Sequence, residues 1–157
     1  MSAAEPLLVP DVRAMKHSDL DAVMEIEQGS FSTPWSRDSF RNLLGRADAD
    51  LWVGLLDDTV VGYAVVWYVA DESELGNLAV AAEWRRRGLG RWLLDWALSK
   101  AVERGADRIF LEVRDSNQGA QDLYARRGFV QVGLRRRYYR QPSEDARVLC
   151  LNLSPRK

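Results

Sequence analysis

A single cysteine, Cys150, and a single histidine, His17, are all that 157 residues contain of two side chains much used in metal and redox chemistry. One cysteine excludes an internal disulfide and a Cys-rich metal site, and it fits a reducing compartment. One histidine excludes a histidine cluster. Long apolar runs are also missing. The longest, Val60–Ala70, is too short to cross a bilayer, which takes about 20 residues, and it reads as a buried strand. No secretory signal is visible, because Glu5 and Asp11 interrupt the N-terminus and no apolar segment follows. A net charge of −1 supplies no global field that would draw the chain to nucleic acid or membrane. Repeats, low-complexity segments and long linkers are lacking too, so residues 1–157 are expected to form one domain, in the cytoplasm.

What is present is ordinary in bulk, with 46% hydrophobic and 29% charged residues, and patterned in detail. Val9–Met15 reads as a short strand. Ser18 is placed to cap a helix running to about Gln28, and Ser36 to cap a second whose apolar face is Phe40, Leu43 and Leu44. Leu51–Leu56 and Val60–Ala70 form a hairpin around Asp57-Asp58, and Glu74–Val80 is the next strand. Leu89, Trp92, Leu93, Trp96, Ala97 and Ala101 recur at helical spacing up to Gly105. The strand Ile109–Val113 comes next. A helix capped by Asn117 then runs to Arg127 and ends at Gly128. Phe129–Leu134 and Val148–Leu153 close the chain as strands, with Tyr138–Asp145 between them. The order is β-α-α-β-β-β-α-β-α-β-β, a mixed sheet with helices on its faces.

Basic residues cluster at Arg85–Arg87, Arg126-Arg127 and Arg135–Arg137, and the first cluster opens Arg85-Arg86-Arg87-Gly88-Leu89-Gly90. Two glycines in front of a helix free backbone amides to converge on a phosphate or pyrophosphate. A Rossmann fingerprint would need a third glycine where Leu93 stands, and a Walker loop would need Gly-Lys-Ser/Thr. The pattern instead resembles the coenzyme A pyrophosphate loop of the GCN5-related N-acetyltransferases (GNAT). Downstream come Leu111-Glu112-Val113-Arg114, Asn117, Leu123-Tyr124 through Phe129, Tyr138-Tyr139 and Glu144-Asp145-Ala146. With a Pro34-Trp35-Ser36 element, these resemble the bacterial ribosomal-protein-alanine N-acetyltransferases within that superfamily. The resemblance implies an α/β (α+β) fold with a mixed, mostly antiparallel sheet of six to seven strands flanked by about four helices. It implies acetyl-CoA as co-substrate, no metal, and the N-terminal alanine of a small-subunit ribosomal protein as acceptor. No membrane or nucleic-acid contact is required. The sequence does not fix the oligomeric state, and a monomer is the default.

Acyl transfer to an α-amino group, whose pKa is about 7.7–8.0, needs a base for the amine and an acid for the leaving thiolate. The resemblance assigns these to Glu112 and Tyr124. A lone strand glutamate reads otherwise as an ion-pair partner of Arg114 or Arg108, and the tyrosine ring also suits packing on the sheet. Leu78, Ala79 and Val80 are implied to offer backbone groups to the cofactor's pantetheine arm where two strands splay apart. Without the resemblance they are an ordinary core strand. Arg85, Arg86, Arg87, Gly88, Leu89 and Gly90 are implied to hold the phosphates, with the weight on backbone amides. Asn117 is equally an N-cap and a polar contact to the cofactor. Pro34, Trp35, Tyr138 and Tyr139 match peptide-groove positions and equally suit surface aromatics at a sheet edge. Glu144 and Asp145 offset a basic substrate tail or make a charged turn. Cys150 has no sequence-adjacent base to activate it, so direct transfer is favoured over an acetyl-cysteine.

Two departures from the family pattern stand out. Gly76 replaces a bulky apolar residue, which permits a bulge or a close approach, and Ala81-Ala82 replaces an Asp-Pro turn. Two other readings remain at this level. One keeps the chemistry and changes the acceptor to other protein N-termini, lysine side chains or small amines. The other is an inactive ribosome- or RNA-binding module using Arg135–Arg137 and Arg140.

Overall fold

The computed structural model describes residues 9–139 and 143–154. Along the chain run β1 (Asp11–Ala14), α1 (Leu20–Ser30), α2 (Arg37–Leu44), β2 (Ala49–Leu56), β3 (Thr59–Val69), β4 (Glu72–Val80), α3 (Leu89–Glu103), β5 (Arg108–Arg114), α4 (Gln118–Arg126), β6 (Val130–Tyr139) and β7 (Glu144–Asn152). The strands form one seven-stranded sheet in the order β1-β2-β3-β4-β5-β7-β6. Every neighbouring pair is antiparallel except β4 with β5. The element order is the one read from the sequence, and the mixed, mostly antiparallel sheet with four helices is the expected fold class.

Alternation along the strands divides the core between two faces. Leu51, Val53, Tyr63 and Val65 face α1 and α2, where Phe40 is fully buried. Trp52, Ala64, Val66, Ile109, Leu111 and Val113 face the other way, toward Leu94 and Ala97 of α3 and Tyr124 of α4. Asp57 and Asp58 take φ of 49° and 66°, the left-handed pair of a two-residue hairpin turn whose twist matches that of the strands β2 and β3. Ser36 caps α2 by accepting from the Ser39 N–H at 3.1 Å, as its position predicts. Among the described residues no helix is long and apolar enough to cross a membrane.

Two expectations are corrected. Ser18 does not cap the first helix. A short 3-10 turn over His17–Asp19 precedes α1, and the Asp19 carboxylate accepts the Lys16 N–H at 2.8 Å. Asp19 also takes both ends of the Arg13 guanidinium, at 2.7 and 2.9 Å, a stronger arrangement than a hydroxyl cap offers. The last two strands are also longer than their apolar runs: β6 continues through Arg135–Arg137 to Tyr139, and β7 begins at Glu144. Polar residues continue a strand when cross-strand hydrogen bonds hold it, as the Arg135 and Ala146 pairing does here.

Two features of β4 shape the middle of the sheet. Val65 pairs with Asn77 and Val66 with Leu75, so Gly76 is the extra residue of a β-bulge. On its other side β4 pairs with β5 only from Glu72 to Glu74, against Arg108 to Phe110. Beyond that point β5 continues with β7, and the two strands part.

Glu27 ties the helices to this region. It lies on the apolar stripe of α1 with Leu20, Val23 and Met24 and is 1% exposed. Its carboxylate accepts the Tyr63 hydroxyl, Asn77 Nδ2 at 2.7 Å and the Trp35 N–H at 2.8 Å. It thereby joins α1, β3, β4 and the loop before α2.

Burial outweighs these donors and holds the Glu27 pKa above its ordinary 4.5. The folded chain then binds a proton that the unfolded chain has released. Stability from this group is therefore present below pH 4.5 and is lost as pH rises through the raised folded value. Urea unfolding of the native chain and Glu27→Gln across this window should show the native chain losing stability relative to the variant as pH rises. A constant difference between the two would refute the assignment.

Candidate active site

The parted strands and the arginine-glycine loop meet at the start of α3. Arg86 and Gly88 are both left-handed, with φ of 66° and 84°, so the chain doubles back twice before the helix begins at Leu89. The amides of Leu89, Gly90 and Arg91, in the first helical turn, have no acceptor within the helix, and its dipole adds positive potential there. A Cβ on Gly90 would meet Val80 and Leu123 only at ordinary contact distances of 3.8 and 3.9 Å. Neighbouring atoms therefore do not demand glycine at this point, and its lack of a side chain leaves the mouth of the loop open.

The three arginines differ in their surroundings. Arg85 is exposed but folds its side chain back on the protein, donating from Nε to the Val80 carbonyl at 2.9 Å and from the guanidinium to Ser30 Oγ at 3.0 Å. It thus fastens the end of β4 to the end of α1. Arg87 lies over the Trp84 ring at 5.8 Å, and Arg86 is exposed. Ala81-Ala82, the departure from an Asp-Pro turn, leads into a short 3-10 turn closed by the Trp84 N–H on the Ala81 carbonyl at 2.9 Å. Leu78, Ala79 and Val80 pair with Ala64, Tyr63 and Gly62 on one side and border the opening toward β5 on the other. The Asn77 side chain accepts the Leu78 N–H at 3.2 Å.

On the α1 and α2 side of the sheet, at the junction of β4 and β5, lies a cleft of about 360 Å³. Glu74, Phe110, Glu112, Arg135, Tyr138 and Val148 line it. Glu112 alternates with the buried Leu111 and Val113, so its carboxylate points into this cleft, 18% exposed. Its ion-pair partner is Arg135 of β6, at 2.8 Å. The sequence-based alternatives are corrected by the sheet order. Arg108 pairs with Glu72 across the β4–β5 junction, and Arg114 turns to Glu144 at 2.9 Å. A partner from β6 depends on strand order, which local spacing does not encode.

Tyr138 and Tyr139 pack edge to face at 5.2 Å. Tyr138 lies beneath the Arg135 guanidinium at 5.0 Å, and burial, with the charge of the neighbouring Glu112, raises its pKa. Burial and the nearby charge of Glu112 push the Tyr139 hydroxyl up to about 12. Tyr124 belongs to the opposite face. It is buried against Phe129 at 5.5 Å between ring centroids, and desolvation, with a smaller effect of Tyr139, raises its pKa. Tyr139 thus responds to Glu112, and Tyr124 in turn responds to Tyr139. Asn117 does cap α4, accepting the Ala120 N–H at 3.1 Å, and it is exposed.

The loop before α2 brings Trp35 onto Trp67 of β3, with rings 6.1 Å apart and 27° from parallel, while Pro34 is exposed. Arg114 links the two sides of the rim. It donates to Thr33 Oγ1 at 2.6 Å and to Glu144, and it lies over the Tyr139 ring at 4.2 Å. Glu144 also accepts the Ser116 N–H at 3.0 Å, and Asp145 accepts the Arg137 N–H at 2.8 Å. These two carboxylates therefore hold the rim together. Arg140, part of the RNA-binding reading, lies outside the described residues.

Sequence reading overlooked Glu27, Trp67, Glu74 and Gln121. Gln121 is buried and donates to the carbonyls of Arg114 at 3.0 Å and Asp115 at 2.9 Å, fixing α4 to the end of β5. A glutamate on the apolar stripe of α1 was the visible signal for Glu27. For Trp67 the signal was Gly76. A Cβ at Gly76 would overlap the six-membered ring of Trp67, so the missing side chain and the large indole are one arrangement.

Residues 20–129 match the profile of the Acetyltransferase (GNAT) family. A Bacillus subtilis protein provisionally named ribosomal protein bS18-alanine N-acetyltransferase is 38% identical, over 91% of this chain and 95% of its own length. The Salmonella typhimurium protein of that name is 37% identical, over 91% and 97%. The crystal structure of the ribosomal-protein-S18-alanine N-acetyltransferase from Escherichia coli superposes with a TM-score of 0.87 at 31% identity, covering 95% of this chain and 97% of that one.

Replacing Gly76 by leucine should displace Trp67 and cost about 2 kcal/mol, a typical penalty for overpacking. The double variant Trp67→Ala/Gly76→Leu should be more stable than Gly76→Leu alone. Urea midpoints of the three variants and the native chain test the coupling, and strictly additive effects would refute it.

Proposed function

Because the chain belongs to the GNAT family of acetyltransferases, we propose that it acetylates the N-terminal alanine of the small-subunit ribosomal protein bS18, using acetyl-CoA. One observation carries the acceptor: relatives named for that reaction align over more than nine-tenths of this chain and of their own lengths. The family's cofactor suits the residues present. Backbone amides behind Gly88 fit phosphates, and the edge of β4 opened by its parting from β5 fits an extended arm. When bound, acetyl-CoA supplies an acetyl group activated as a thioester.

The chain's own groups divide the remaining work. Glu112, held by Arg135, takes a proton from the acceptor ammonium, directly or through water, which frees the nitrogen lone pair. As the new N–C bond forms, the C–S bond breaks. Tyr124 gives its hydroxyl proton to the departing sulfur. Its burial keeps that hydroxyl protonated at neutral pH, as a proton donor requires. The first ammonium proton ends on Glu112; the second, shed by the nitrogen once it is acylated, restores the Tyr124 hydroxyl whose own proton has gone to sulfur, so the products are a neutral amide and a thiol. Leu78–Val80 offer backbone groups to the cofactor arm, and the Arg86–Gly90 backbone holds its phosphates. Pro34, Trp35, Tyr138 and Tyr139 border the peptide path.

Thiol release measured with an N-terminal Ala peptide, a lysine peptide with a blocked N-terminus and a polyamine tests the acceptor. Turnover of the Ala peptide is expected, and turnover of the polyamine alone would overturn the assignment. Glu112→Gln should lower kcat by about 10² or more while leaving acetyl-CoA binding by calorimetry within about twofold. Tyr124→Phe should slow transfer about tenfold or more without unfolding, since it keeps the ring packed on Phe129. Native rates in either variant would remove that residue from its role.

A further inference from the structure

The cleft contains a carboxylate for which proton transfer has no use. Glu74 stands directly opposite Trp67 in the β3–β4 register, with the indole near enough to favour the ionised carboxylate. The indole itself is held on two sides, lying over the bulge residue Gly76 and against the Trp35 ring. Glu74 occupies the wall between the cleft that contains Glu112 and a smaller recess of about 120 Å³ bounded by Trp67, Val69, Ser73 and Phe110. A peptide with its amine at Glu112 and its next residue toward that recess passes Glu74.

The charges are uneven along this path. Glu112 is paired with Arg135, and Glu72 with Arg108. Among the described residues Glu74 has no ion-pair partner. The neighbouring indole N–H could meet at most one of the about four hydrogen bonds that a carboxylate can accept. A half-buried carboxylate in that state gains most from a guanidinium or ammonium group, which makes shorter and stronger hydrogen bonds than a neutral donor.

We propose that Glu74, positioned by Trp67 across the bulge at Gly76, determines specificity by holding a cationic side chain at the acceptor residue next to the one acetylated. This rests on reading the cleft as the acceptor site. Burial and the charge of Glu112 hold the Glu74 pKa above its ordinary value, and a cation alongside favours the ionised form again. Trp67 acts through Glu74. Its indole flanks the carboxylate from the facing strand, and its ring fills the space that a side chain at position 76 would take.

The test compares kcat/KM for two peptides identical except at the second residue, Ala-Arg and Ala-norleucine, in three proteins. The native enzyme should prefer Ala-Arg by about tenfold, equivalent to ~1.4 kcal/mol, mostly through KM. Glu74→Gln should bring the ratio close to one. Trp67→Phe, which keeps an aromatic ring but loses the N–H donor and one ring of the indole, should reduce the ratio about threefold with kcat for Ala-Arg nearly preserved. General loss of structure lowers both peptides together and leaves the ratio unchanged. A ratio preserved in Glu74→Gln, or no preference in the native enzyme, overturns the subsite while leaving N-terminal acetylation standing. A native enzyme that acetylates neither peptide but does acetylate a polyamine overturns the acceptor reading itself, and the subsite with it.

Discussion

Three residue pairs hold β4 to β5, and past Glu74 and Phe110 the sheet opens. An opening inside a sheet is a physical debt, because each strand presents backbone donors and acceptors that an ordinary neighbour would satisfy. An edge at the margin of a sheet meets solvent at little cost, whereas one between packed helices needs a polar, extended occupant. The helix start behind Gly88 lies at one end of the opening and the cleft of Glu112 at the other. A donor with an extended arm and phosphates fits the first, and an amine fits the second. The rest of the molecule reads as support for keeping this gap open at fixed width.

That support is concentrated in polar groups, two of them, Glu27 and Gln121, buried where apolar ones would be expected. Glu27 replaces a hydrophobic residue on α1 and takes donors from β3, β4 and the loop before α2. Gln121 binds the carbonyls where β5 ends, and Arg85 clamps the Val80 carbonyl to α1. Apolar contacts are non-directional and would allow the strands to slide. Buried hydrogen bonds specify one arrangement, because leaving any of them unmade is costly.

Local pattern carried the fold well. Period-2 and helical spacing gave the element order, Ser36 and Asn117 cap the helices their positions indicated, and the chemical motifs pointed to the family that the profile match establishes. What the sequence hid depends on strand order. Glu112 was offered Arg114 and Arg108 as neighbours, yet its partner is Arg135, which reaches it only because β7 and β6 follow β5 in the sheet. Gly76 was visible as an anomaly. Its cause, an indole from β3 lying over the bulge, required the register between two strands. The cap of the first helix was misread because a bidentate Arg13–Asp19 pair outcompetes a serine hydroxyl one residue away.

The rim contact between Arg114 and Thr33 spans 81 positions of the chain. Closing so long a loop costs conformational entropy that only an already assembled sheet can offset, and contacts of this range slow folding. The groove proposed for the acceptor therefore depends on a contact that only the assembled sheet supports. Its two sides come from opposite ends of the sequence, so a nascent chain lacking β6 and β7 holds the α1 and α2 half of the rim without its counterpart. Competence for catalysis thus arrives with the last strands to be synthesised.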